Sequence, residues 1–202
     1  MEIPALLTFP LILICSNIPL NTCHVVFLTL WILHYFNRSL IYPFRMRSKG
    51  KPTPFSIPLF ALIFNLVNGF FLGYEMVSFH SMDYASEWLY LPTSILGIVV
   101  FLCGFVLNLD ADHRLRNLRK PGETGYKIPV GGLYRWVSCP NYLGEILEWT
   151  GFALLLWNSS ALSFMVWTIA NLLPRALAHH RWYQEKFATY PSERRALIPF
   201  LL

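Results

Sequence analysis

Charge is scarce in this chain. Only 13% of its 202 residues are Asp, Glu, Lys or Arg, against 55% that are hydrophobic, and a soluble domain carries about 25% charged residues. That shortage excludes a disordered chain and is inconsistent with a water-soluble globule. Cysteine is scarce as well: Cys15, Cys23, Cys103 and Cys139 show neither CxxC nor CxxxH spacing, which leaves no zinc site, no other metal site and no disulfide framework. A glycine-rich GxGxxG fingerprint is missing, so a soluble dinucleotide fold is excluded. No internal repeat, low-complexity tract or composition break divides the chain, and residues 1–202 read as one domain. No cationic segment precedes the first apolar run, since Glu2 stands there, so the start does not read as a secretory signal.

What is present is apolar length. Segments at about 4–20, 22–36, 55–76, 89–109, 141–157 and 161–174 approach or reach the roughly 20 residues of a membrane-crossing helix, and Leu89 to Leu109 contains no charge at all. The expected fold is therefore all-α, a bundle of six spans. Asn17-Ile18-Pro19-Leu20-Asn21 reads as the turn between the first two.

The cations sort by loop. Of sixteen Lys and Arg residues, Arg38 to Lys51 lie between spans two and three, Arg114 to Arg135 between four and five, and Arg175 to Arg195 in and after the sixth. The connection between spans three and four carries Glu75, Asp83 and Glu87 instead. Alternation of this kind follows the positive-inside rule and puts the basic loops and the C-terminal end in the cytoplasm. A nucleic-acid partner is excluded, because the +5 net charge marks one membrane face and forms no water-exposed binding surface.

Ionisable groups inside lipid are costly and turn toward a partner or cavity. On a helix, Asn141, Glu145, Glu148 and Trp149 share one face. Asn108, Asp112, Arg116 and Arg119 form a second stripe, and Arg175, His179 and Tyr183 a third. Each stripe alone reads equally as an interfacial anchor or an ion pair between helices. Three that start at one membrane depth point to a single polar pocket, suited to phosphates, amides and hydroxyls. The run His34-Tyr35-Phe36-Asn37-Arg38 and Glu2 add a hydroxyl and a carboxyl group able to polarise a ketone, although Tyr35 also reads as an aromatic-belt anchor. Asn65 and Asn68 are read as hydrogen bonding between helices, and His24 and His80 as structural.

Several runs carry a resemblance. Leu115-Arg116-Asn117-Leu118-Arg119-Lys120-Pro121-Gly122-Glu123, Gly125-Tyr126-Lys127-Ile128-Pro129, Gly131-Gly132-Leu133-Tyr134, Asn141-Tyr142-Leu143-Gly144-Glu145 with Glu148-Trp149, Arg175-Ala176 with His179-His180, and Tyr190-Pro191 with Ala196-Leu197-Ile198-Pro199-Phe200 resemble the steroid 5α-reductase family. The resemblance implies a monomeric multi-span membrane enzyme, of the endoplasmic reticulum if eukaryotic or the inner membrane if bacterial. Such an enzyme takes hydride from NADPH and reduces the 4,5 double bond of a 3-oxo-Δ4 steroid. Residues about 1–76 would hold the steroid and about 89–202 the NADPH, with cytoplasmic loops capping the cofactor cavity.

Carried over by position, Glu2 and Tyr35 are implied to be catalytic. Asn108, Asp112, Arg119, Tyr126, Asn141, Glu145, Arg175, His179 and Tyr183 are implied to hold the cofactor, and Glu148 and Trp149 to line the substrate. The family usually has seven spans, and this chain is expected to lack the first. The segment Arg45 to Pro54 aligns only with a small insertion, and Lys127 stands where Arg is common, so roles for Lys49, Lys51 and Lys127 on the cofactor phosphates stay open. Alternatives are a reductase of another enone or enoyl lipid, an S-adenosylmethionine-dependent membrane methyltransferase, which shares a Pro-Asn-Tyr-like turn before Gly and Glu, and a scaffold without turnover.

Overall fold

The computed structural model describes residues 2–45, 54–79, 84–120, 123 and 125–202. Lys49, Lys51, His80, Asp83, Pro121 and Gly122 lie outside them. The fold is helical as expected. Helix α1 covers Ile3–Cys15, and α2 (Thr22–Phe36) runs through a π-helical turn (Asn37–Ile41) into α3 (Tyr42–Arg45). Helices α4 (Ser56–Ser78), α5 (Pro92–Asn117), α6 (Pro140–Leu156) and α7 (Ser159–Lys186) follow. Among the described residues there is no strand, and an isolated parallel bridge joins Val137 to Arg195.

Four segments, Thr22–Arg45, Ser56–Ser78, Pro92–Asn117 and Ser159–Lys186, are long and apolar enough to cross a bilayer. The two other expected spans are shorter: α1 has 13 residues and α6 has 17. Helix α1 stops at Cys15 because Asn17 takes a left-handed conformation, φ 58°, which a helix cannot continue through. Pro4, Pro92 and Pro140 open helices, where a missing N–H costs nothing. Asn21 caps α2 in a reciprocal box with His24, which gives His24 its structural role.

The chain forms two compact units, one of Met1–Ile95 with Leu154–Leu162, the other of Leu96–Ala153 with Ser163–Leu202. In the first, α1 lies against α4 through Gly69 and Gly73, where an added Cβ would meet Thr8 Cβ at 2.9 Å and Ile12 Cβ at 2.8 Å. The Trp31 indole donates to the Ala5 carbonyl at 2.8 Å and packs edge-on against Phe9. Orphan carbonyls at the end of α6 accept from Trp88 and Tyr84, at Leu155 and Leu156. The Glu75 carboxylate accepts from Ser159 and Ser160, including both backbone N–H groups, and so caps the start of α7 with an anion.

In the second unit α5 and α6 meet backbone to backbone. A Cβ at Gly104 would lie 2.6 Å from the Glu148 nitrogen, and one at Gly144 would lie 2.7 Å from the Asn108 nitrogen. Gly151 meets the Phe101 backbone in the same way, one heptad further on. Small residues permit such approach in lipid, where packing and not water drives helices together.

Candidate functional site

The glycine crossing determines where the polar stripes of α5 and α6 stand. With the backbones this close, Asn108 donates its amide to the Asn141 carbonyl at 2.9 Å. That carbonyl lies in the first turn of α6. Asn108 and Asp112 are both buried, and Arg116, one turn on, is half-buried. Helix α5 ends at Asn117, so Arg119 does not complete the stripe; it lies exposed past the helix end. Lys120 precedes Pro121 there, and a residue before proline is disfavoured in the α region.

Helix α7 joins at the same end. Cys139, Ala176 and Leu197 form a buried cluster with Tyr142 and Leu143 against it, and the Tyr142 ring lies 6.0 Å from that of His179. Tyr134, on a 3-10 turn (Gly132–Arg135), is buried and donates to the Ala111 carbonyl at 3.4 Å. Burial pushes its phenol far above the usual value, and Asp112, Cys139, Tyr183 and Asp110 are near enough to push in the same direction. Burial also raises the Cys139 thiol, to about 12. Tyr134 thus lies near Asp112 of α5, Cys139 before α6 and Tyr183 of α7.

Further implied residues lie at the rim. Tyr126 packs edge-on against Trp182 at 4.8 Å and is exposed, as are Arg175 and His179. Tyr183 stacks on Tyr190 at 5.4 Å, and the Arg194 guanidinium lies over that ring at 5.2 Å. Glu145 is half-buried and Glu148 fully buried. Trp149 is buried in an aromatic box, with ring centroids of Phe164, Phe152 and Phe101 at 4.4, 5.8 and 6.3 Å. Among the described residues no His, Cys, Asp and Glu cluster could hold a metal ion.

Glu2 and Tyr35 belong to the first unit. Tyr35, near the end of α2, is buried beside Trp31 at 4.6 Å and His34 at 4.9 Å. Arg38 follows it by three residues and pairs with the Glu2 carboxylate at 3.8 Å, which holds Glu2 at the same end of α2.

Tyr134, Ser138, Tyr190 and Arg194 were not singled out by spacing. Ser138 Oγ lies 2.6 Å from both His180 Nδ1 and the Tyr190 hydroxyl and 3.2 Å from the Arg195 carbonyl, tying the C-terminal segment down. The only sequence signals were the Gly-Gly-Leu-Tyr and Tyr-Pro runs. The partners of Ser138 lie 42 to 57 residues away and that of Tyr134 lies 23 away, beyond any helical periodicity.

The donor set of the second unit, two Asn side chains, a buried phenol, imidazole and guanidinium groups, fits a ligand bearing amide, hydroxyl and phosphate groups. The profile of the family described as 3-oxo-5-alpha-steroid 4-dehydrogenase matches residues 51–202. The chain is 45% identical over 182 residues to 3-oxo-5-alpha-steroid 4-dehydrogenase 1 of Rattus norvegicus, covering 90% of this chain and 69% of that protein. It is 44% identical over 175 residues to steroid 5-alpha-reductase DET2 of Gossypium hirsutum, covering 85% and 67%. With the DET2 protein of Arabidopsis thaliana it shares 37% identity over 207 residues, covering 100% and 79%.

Proposed function

Because the chain belongs to the 3-oxo-5-alpha-steroid 4-dehydrogenase family, we propose that it reduces the 4,5 double bond of 3-oxo-4-ene steroids, with NADPH as the reductant. The observation that carries this reading is the convergence of the polar faces of α5, α6 and α7, fastened by the Asn108–Asn141 bond, in a chain otherwise built to meet lipid.

When bound, NADPH supplies the hydride. Asn108, Asp112, Asn141, Glu145, His179 and Tyr183 hold its amide and hydroxyl groups, and Arg119 and Arg175, exposed and without an ion pair among the described residues, take its phosphates. Tyr126 closes the rim. A conjugated ketone accepts hydride at C5 only if electron density moves onto its oxygen. Tyr35 and a protonated Glu2 donate hydrogen bonds to that oxygen and stabilise the charge that develops there. Arg38, 3.8 Å from the Glu2 carboxyl group, positions it. The enolate is then protonated at C4. Trp149 and Glu148 line the steroid side, and the apolar surroundings exclude water. The basic loops face the cytoplasm, from which an anionic cofactor arrives.

The test is an assay of the detergent-solubilised full chain with testosterone or progesterone and NADPH, with the product identified by mass. A gain of two mass units in the steroid with consumption of NADPH supports the reading. Binding of S-adenosylmethionine in the absence of NADPH binding contradicts it.

A further inference from the structure

A second concave feature of the second unit takes no part in that chemistry. Leu102, Cys103 and Val106 on the outer side of α5 and the Gly131–Trp136 segment enclose an open groove of about 970 Å³. Its floor is apolar and exposed: Val106 is 64% accessible. Its lip is polar and fixed. Gly131 and Gly132 have φ of 82° and 51°, a backbone course that glycine permits, and it presses them onto Arg114. A Cβ on Gly131 would lie 2.5 Å from the Arg114 guanidinium, and one on Gly132 2.7 Å from the Asp110 carboxylate. Asp110 and Arg114 are bonded to each other at 2.7 Å, so their charges offset each other at the lip.

Arg135 differs. It is exposed at the mouth, lies over the Trp136 ring at 5.7 Å, and has no carboxylate partner among the described residues. Beside it Val130, Trp136, Phe200 and Leu201 expose apolar side chains outside any helix, and the Trp136 and Phe200 rings lie 6.2 Å apart. Aromatic residues gather where hydrocarbon meets headgroups, and α5 changes at this level from an uncharged stretch to Asp110, Asp112 and Arg114. An apolar trough with one uncommitted guanidinium at the hydrocarbon boundary has the chemistry of a phospholipid, chain below and phosphate above.

We propose that this groove is a binding site for an anionic phospholipid, with its phosphate at Arg135 and an acyl chain along the Leu102 and Val106 face. A basic residue near a membrane surface contributes about 1 kcal/mol toward anionic lipid, which is about a fivefold change in affinity.

The full chain, extracted in mild detergent from vesicles of equal phosphatidylglycerol and phosphatidylcholine with matched acyl chains, is analysed by native mass spectrometry for retained lipid. The wild type retains phosphatidylglycerol preferentially. Arg135→Ala loses that preference about fivefold, Arg135→Lys keeps it, and Arg135→Glu reverses it. Val106→Trp, which fills the trough, lowers retention of both lipids, and Lys186→Ala, a cation elsewhere on the surface, changes nothing. Equal retention of the two lipids by wild type and Arg135→Ala overturns the proposal. So does stoichiometric displacement of the lipid by progesterone, which makes the groove a steroid entry, or cross-linking of two copies through Cys103, which makes it an interface.

Discussion

In the first unit, the glycines of α4 receive side chains: the nearest atoms to a Cβ on Gly69 or Gly73 belong to Thr8 and Ile12. In the second, the glycines of α5 and α6 receive main chain, with Gly104, Gly144 and Gly151 each meeting backbone nitrogen or carbonyl oxygen of the facing helix. Thr8 Cβ and Ile12 Cβ move only with their helix, but at 2.9 and 2.8 Å they stand farther off than the main-chain nitrogens at 2.6 and 2.7 Å that meet Gly104 and Gly144. The second unit is thus fixed in register, as the proposed match to a cofactor, atom by atom, would require. The first seam, met at Cβ atoms, is the looser of the two.

The sharpest way to break that contrast is to put the same methyl group in both seams. Gly144→Ala drives a Cβ into the Asn108 backbone and is expected to cost more than about 3 kcal/mol, at or beyond the upper end of overpacking penalties, with loss of NADPH binding. Gly73→Ala, against Ile12, is expected to cost about 1–2 kcal/mol and to leave NADPH binding intact. Thermal unfolding in detergent and NADPH titration read both, and equal losses in the two variants would remove the distinction.

Tyr35→Phe separates the units by function. It removes the hydroxyl proposed to bond the steroid oxygen, and kcat is expected to fall about 10²–10³-fold with the NADPH dissociation constant unchanged. Unchanged turnover takes Tyr35 out of the mechanism. Arg119→Ala is the converse, weakening NADPH about tenfold or more through loss of a charge-assisted contact with little effect on the steroid KM. Equal effects on both ligands count against a phosphate role.

The smallest effect concerns the loop after α5. Glu123 accepts from Lys127 and, at 2.8 Å, from the Lys120 N–H, and these bonds hold its carboxyl below the usual carboxylate range. A depressed folded-state pKa contributes stability that is present above the unfolded value and fades as pH falls through the folded one. Limited proteolysis of this loop is therefore expected to speed up slightly below the carboxylate range in the wild type and to be insensitive to pH in Glu123→Gln.

Helix positions were legible where hydrophobicity was uninterrupted, as from Leu89 to Leu109, and less so at ends set by backbone or distant contacts. Helix α7 reaches Lys186, well past its apolar stretch, where His180 meets Ser138 and Tyr183 stacks on Tyr190. The π-turn after Phe36 left no mark in composition. Spacing grouped Asn108 with Asp112 and Asn141 with Glu145, since a helix repeats every three to four residues. It could not bring Tyr134 or Ser138 to those faces, because both arrive through turns whose partners are remote in sequence.

The most direct measurement follows the transferred hydrogen. Incubating the full chain with progesterone and NADPH deuterated at the nicotinamide C4 position, then locating the label by mass spectrometry and NMR, is expected to give one deuterium at C5 of the reduced steroid, with a proton from water at C4. A reduced steroid without label at C5, or an unreduced steroid while NADPH stays bound, would contradict the account.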